Sequence, residues 1–209
     1  MFYQRRSLAA SAQKLYGRTR PDWPLGPTVY LTDARVHPDP EPVLGCLPRG
    51  SVVILRDYDH PQRETLAFRL AEACRKRHLN LLVGADDRLA ARVGAAGVHL
   101  PEGLVGRLPL LRQKYPALFF TTACHSECAT IRAERLGADA LLLSPVFPTL
   151  SHPESFSRPG RTLGPVRLAG LCRRTSLPVY ALGGITMANV RRLRHIPLAG
   201  IASIRGYGQ

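Results

Sequence analysis

Hydrophobic residues along this chain collect in eight short runs with almost no polar alternation. The runs fall at 28–32 (TVYLT), 51–55 (SVVIL), 80–83 (NLLV), 97–100 (GVHL), 118–122 (LFFTT), 139–143 (DALLL), 178–182 (PVYAL) and 200–204 (GIASI). Strands covered by other elements on both faces have this appearance. Between them the period becomes helical. In 64–77, Leu66, Leu70 and Cys74 repeat every fourth residue, with Phe68 and Ala71 flanking the stripe. The segment 126–136 opens on Ser126, a helix-starting residue, and places Ala129, Ile131 and Leu136 along a helix. The segment 187–195 puts Met187, Val190 and Leu193 on one helical face.

Strands alternating with helices predict βα units and a parallel sheet. Eight of them predict a compact, closed (βα)8 TIM barrel. An open doubly wound sheet is the rival topology, but it calls for a Gly-rich phosphate turn after the first strand. The segment 28–38 (TVYLTDARVHP) contains none. The chain, at 209 residues, is short against the ~250 typical of this barrel, so its loops must be tight. The expected organisation is one barrel over 27–209 preceded by an extension, residues 1–26. Residues 1–21 are basic and contain no acid, as in a transit peptide, and are read as an ordinary N-terminal helix.

Charge narrows the set of partners. The chain carries 29 basic and 15 acidic residues, a net charge of +14. The basic groups are scattered over three predicted helices, as Arg75-Lys76-Arg77, Arg173-Arg174 and Arg191-Arg192-Leu193-Arg194. No interleaved aromatic stripe of the kind that stacks bases accompanies them. They read as solvated faces, which argues against nucleic acid and leaves a phosphorylated small molecule as the anionic partner. No run approaches ~18 consecutive apolar residues, so no membrane span is expected. The five cysteines (46, 74, 124, 128 and 172) are odd in number and irregular in spacing. That argues against a disulfide framework and for a reducing, cytoplasmic setting. Cys124-His125-Ser126-Glu127-Cys128 has the spacing of half a zinc site, but a partner pair is missing. No metal is assigned, and a homodimer is left open.

On a barrel of this kind, the loops that follow strands carry the chemistry. The long, proline-punctuated stretch 144–165 after the sixth strand is therefore the leading active-site loop. Strand ends also present Asp33, Arg56 to Tyr58, Gly84 to Asp86, Glu102, His125, Ser144 and Thr149 to His152. Gly183-Gly184, followed by Ile185-Thr186, reads as a helix start with exposed backbone N–H groups, a seat for an anion. Arg205 follows the eighth strand, and phosphate sites on these barrels are often built after strands seven and eight.

The motifs LGADALLLSPVFPTLSHP (136–153), LPVYALGGITMANV (177–190) and GAAGVHL (94–100) resemble the thiamine-phosphate synthase and TenI-like thiazole tautomerase family, and VYLTD (29–33) fits its first strand. The resemblance runs from about residue 28 to 206. It implies the barrel and a thiazole phosphate ligand. It further implies that Thr149, Ser151, Gly184 and Ile204 hold the phosphate, beside Gly183 and Arg205. His152 stands where the family has a phosphate-side Lys, and His125 where TenI-like members have the His that moves a proton on the thiazole ring.

Departures from the synthase pattern concentrate on one half of the site. Where synthases carry a Gln and a Lys that grip pyrophosphate, this chain has Ile54 and Tyr58; where they carry Asn-Asp, it has Gly84-Ala85, with Asp86 and Asp87 next in line. The second magnesium carboxylate falls at Leu104, near Glu102, and a usual Ser falls at Ala123. Pyrophosphate departure needs cations and Mg²⁺ on the leaving oxygens. The resemblance therefore points first to a TenI-like tautomerase without a cofactor. A divergent synthase that recruits Arg56, Asp57, Asp86 and Glu102, with Mg²⁺, is the alternative. A catalytically silent phosphate binder or regulatory protein is the third.

Overall fold

The computed structural model describes residues 7–17, 22–151, 153–157 and 160–207. Eight strands close a barrel in sequence order, each parallel to both neighbours. They are β1 (Thr28–Leu31), β2 (Val52–Leu55), β3 (Asn80–Gly84), β4 (Gly97–Leu100), β5 (Phe119–Cys124), β6 (Ala140–Leu143), β7 (Val179–Leu182) and β8 (Gly200–Ser203). Each apolar run read from the sequence overlaps one of them, and β3 and β5 extend past the C-terminal ends of theirs, to Gly84 and Cys124. The rival open sheet does not occur, because β8 pairs back onto β1 through Thr28–Ile201 and Tyr30–Ser203.

Two apolar clusters explain why the runs lack alternation. Val29, Leu31, Ile54, Leu82, Leu142, Tyr180 and Ala202 fill the barrel interior. Their sequence neighbours Tyr30, Val53, Leu55, Leu141, Leu143 and Ile201 pack outward against the helices. Both faces of each strand are thus removed from water. The lower interior is closed by the segment before β1. There the Trp23 indole N–H donates to the Tyr180 hydroxyl at 2.8 Å, and the Trp23 ring meets Phe119 edge-on at 5.6 Å. The Tyr180 hydroxyl lies 3.2 and 3.1 Å from the Leu25 and Gly26 carbonyls.

The helices are α1 (Leu8–Tyr16), α2 (Glu41–Leu44), α3 (Arg63–Arg77), α4 (Asp87–Val93), α5 (Leu108–Lys114), α6 (Glu127–Arg135) and α7 (Gly164–Arg174). α3 buries Leu66, Leu70, Ala71 and Cys74, as its period requires, while Phe68 faces solvent. α6 starts where Ser126 predicts, the hydroxyl accepting from the Ala129 N–H at 3.2 Å. Its buried face is Ala129, Thr130 and Ala133, while Ile131 is 38% exposed.

The expected helix over 187–195 is only a single 3-10 turn, Val190–Leu193. Val190 and Leu193 are buried and Met187 is exposed. A spacing of three satisfies one 3-10 turn as well as an α-helix, and Pro197 stops any extension. α1 packs against β8 and β1, and the Tyr16 hydroxyl donates to the Leu193 carbonyl at 2.8 Å. α1 thereby covers the barrel wall where its last strand meets its first.

Candidate active site

The C-terminal strand ends enclose a cavity of about 440 Å³. Its floor includes Leu31 and His99, and Leu8 of α1 closes one side. Seven of the eight residues expected from the sequence line it or stand in its wall. His125, Thr149, Ser151, Gly183, Gly184, Ile204 and Arg205 all face this one space, though strands β5 to β8 and their loops supply them. His152 lies outside the described residues.

At one end of the cavity, β7 runs into a turn with Gly183 at φ +95° and Gly184 at φ +65°. Both values belong to the left-handed region that favours glycine. Gly184 also needs its missing Cβ, which would sit 2.2 Å from the Pro148 carbonyl oxygen. The expected helix start is absent here, since the 3-10 turn begins only at Val190. The turn is held instead by Asn189, whose side-chain N–H donates to the Gly184 carbonyl at 2.8 Å and whose oxygen accepts from the Thr186 N–H at 2.9 Å. No acceptor among the described residues meets the Gly184 N–H. Across the turn, the Arg205 guanidinium donates to the Ser151 hydroxyl at 3.2 Å. The Thr149 N–H donates to Ser155 Oγ at 2.9 Å, which folds the 149–155 loop onto itself. One guanidinium, a hydroxyl and left-handed backbone thus converge with no carboxylate paired to them among the described residues, an arrangement suited to an anion.

On the opposite side stands His125. Its Nδ1 lies 2.9 Å from the Ser144 carbonyl oxygen and 3.2 Å from Ser144 Oγ. A carbonyl only accepts, so the bond to it puts the ring proton on Nδ1 and the lone pair on Nε2. The His125 backbone N–H donates to Glu102 Oε2 at 2.8 Å. Three strand ends therefore fix this imidazole.

A second imidazole, His99, also lines the cavity. Its neighbours Val98 and Leu100 suggest a packing role, yet they point outward while His99 points into the barrel and lines the cavity. It is 3% exposed, and its Nδ1 lies 2.9 Å from the Thr121 hydroxyl. Burial lowers its pKa to about 4, with the nearby Arg56 cation adding to the shift, so the ring is neutral.

The remaining acids at the mouth are already engaged. Asp33, 3% exposed, accepts from Arg35 at 2.9 and 2.8 Å and from Arg56 at 2.6 Å. The Arg35 hydrogen bonds hold its pKa below the usual carboxylate value against the effect of burial. Asp57 accepts from the Ala34 N–H at 2.6 Å. Asp86 caps α4 through the Leu89 N–H at 2.9 Å and meets Arg63 at 3.3 Å. Asp87 pairs with Arg107 at 2.6 Å and Lys114 at 3.7 Å. Ile54 is an interior core residue. Cys124 is buried outside the barrel lining, where burial raises its thiol pKa to about 12, whereas Cys128 is exposed. Among the described residues no three His, Cys, Asp or Glu side chains cluster closely enough to hold a metal.

The fold and mouth together define a small (βα)8-barrel protein with a glycine turn and an arginine at one end of its cavity and an imidazole at the other. The thiamine monophosphate synthase family profile matches residues 32–207, and the chain belongs to that family. It is similar to the thiamine-phosphate synthase of Pyrococcus furiosus, 31% identical over 180 residues, with 83% of each chain covered. The thiamine-phosphate synthase of Alcanivorax borkumensis is 29% identical over 187 residues, covering 86% of this chain and 84% of that one. The solved thiamine phosphate pyrophosphorylase from Pyrococcus furiosus superposes with a TM-score of 0.71 at 26% identity, over 85% of this chain and 84% of that one.

Sequence reasoning offered Ser144 as a strand-end candidate but missed Leu8 and Asn189. Leu8 reaches the cavity from the far end of the chain, and nothing in its local sequence marks this. Asn189, five residues past the glycine turn, is a familiar type of turn-closing side chain.

Proposed function

We propose that this barrel binds a phosphorylated thiazole and moves a proton on its ring, as a TenI-like tautomerase. The phosphate lies against the Gly184 N–H, Arg205 and Ser151, and the ring extends towards His125. The observation that carries the reading is the oriented imidazole at the wall of the same cavity, with its Nε2 lone pair left by the Ser144 contact. Nε2 takes a proton from one ring atom and returns it to another, so that the net composition of the ligand is unchanged. Glu102, which also lines the cavity, holds the His125 backbone through one carboxylate oxygen.

The Mg²⁺-pyrophosphate chemistry of a synthase does not fit the donors present. Asp57, Asp86, Asp87 and Glu102 each already accept from protein groups. Among the described residues these acids form no cluster of three side chains that could hold Mg²⁺. The names of the relatives favour the synthase, and the two readings separate in one experiment. Purified protein is given the thiazole phosphate tautomer alone, and separately thiazole phosphate, pyrimidine pyrophosphate and Mg²⁺. Tautomer conversion without thiamine phosphate formation is expected. Formation of thiamine phosphate at a sustained rate overturns the proposal in favour of the synthase; neither activity leaves a silent binder. The same reading places the protein in the cytoplasm. Among its described residues no helix is long and apolar enough to cross a membrane.

A further inference from the structure

Behind His125 lies a second cavity of about 360 Å³, opening between the starts of α6 and α7. His125, Ser144 and Pro145 line both spaces, so His125 stands between them. Three guanidinium groups rim the second one: Arg161 from the loop before α7, and Arg167 and Arg174 from α7 itself. Arg167 and Arg174 are seven residues apart, two helical turns on one face. The loop is pinned to the strand-six connection, the Leu163 N–H donating to the Pro145 carbonyl at 2.9 Å and the Gly164 N–H to the Val146 carbonyl at 3.0 Å. Glu127 is the lining carboxylate, and Arg174 already pairs with it. No carboxylate among the described residues pairs with Arg161 or Arg167. The Ser126 and Thr162 residues add hydroxyl groups to the wall.

We infer that this cavity is a second oxyanion site, with Arg161 and Arg167 as its ligands. A concave wall with two uncompensated guanidinium groups recognises a phosphate or carboxylate through paired N–H donors. The anion is either free or the second anionic end of a molecule whose first phosphate occupies the barrel mouth. The site itself uses none of the mouth residues, and only the second of these sources rests on the phosphate seat proposed for the barrel mouth.

The test is calorimetric titration of the full chain with inorganic phosphate, for wild type, R205Q and R161Q/R167Q. Arg161 and Arg167 are exposed, so the double variant should keep the wild-type melting temperature. In R205Q protein one saturable phosphate site should remain, and phosphate should move the His125 Cε1–H resonance. Adding R161Q/R167Q to R205Q should weaken that site by about tenfold or more, as for loss of charged donors, and should abolish the resonance shift. A flexible alkane bisphosphate separates the two sources. Affinity well above that of phosphate, lost in either R205Q or R161Q/R167Q, assigns both ends to one molecule. Affinity equal to that of phosphate assigns a separate anion. R205Q protein without a saturable site, or R161Q/R167Q within twofold of its parent, overturns the inference.

Discussion

Replacing Gly184 with Ala strains the turn that the phosphate end depends on. A Cβ at this position would stand 2.2 Å from the Pro148 carbonyl oxygen and 2.7 Å from that of Phe147, at a φ of +65°. The left-handed backbone alone costs a side-chain-bearing residue about 1 kcal/mol or slightly more. The overlap cannot be relieved by a rotamer, because both obstructing atoms are backbone. The 146–148 segment is also tied to β7, with Val146 N–H on the Leu182 carbonyl at 2.9 Å and Phe147 N–H on the Gly183 carbonyl at 3.0 Å. Forcing it aside is an overpacking of about 1–3 kcal/mol. The sum, about 2–4 kcal/mol, lowers the melting temperature by roughly 5–15 °C in a chain of this length. The displaced Gly184 N–H should weaken thiazole phosphate binding by about tenfold or more, as for loss of a charge-assisted donor. Thermal unfolding and a binding titration measure both, with Gly103→Ala as control, since a Cβ there meets nothing within 4 Å. A Gly184→Ala protein that melts within about 2 °C of wild type and binds with unchanged affinity refutes the reasoning.

Three further outcomes are expected. His125→Ala should cut tautomer conversion by about 10²–10⁴-fold in kcat while leaving phosphate affinity nearly unchanged, measured by steady-state kinetics and titration. His99 ties stability to pH: its unfolded imidazole takes a proton near 6.5, the folded one only near 4. Protonation therefore favours the unfolded chain across that window, so wild-type stability falls as pH drops from about 6.5 to 4, and His99→Gln should flatten the fall in denaturant titrations. Tyr180→Phe leaves the Trp23 N–H and the facing carbonyls without their partner and should cost about 1–3 kcal/mol in the same titrations.

The barrel was legible because eight strands buried on both faces leave eight apolar runs, which no exposed sheet would leave. The same property hid His99. When both faces are apolar, a run such as GVHL does not say which residues look inward, and only the closed barrel assigns His99 to the interior and Val98 to the outside. That Thr149, Ser151, Gly183, Gly184, Ile204 and Arg205 share one cavity was readable from their places after strands six, seven and eight, which the topology brings together whatever the side chains. The support for the glycine turn was misread, because an i, i+3 pair such as Val190 and Leu193 fits a 3-10 turn as well as a helix. Nothing local in the sequence shows that Asp86 and Asp87 are engaged by Arg63 and Arg107, since those partners lie 20 or more residues away. Leu8 is the same case over nearly the whole chain length.

The most direct measurement is a crystal structure of the protein with thiazole phosphate bound. The phosphate should lie within hydrogen-bond distance of the Gly184 N–H and the Arg205 guanidinium, with the thiazole ring at His125 Nε2. A phosphate seated at Arg56 instead, or a ring turned away from His125, would contradict the account.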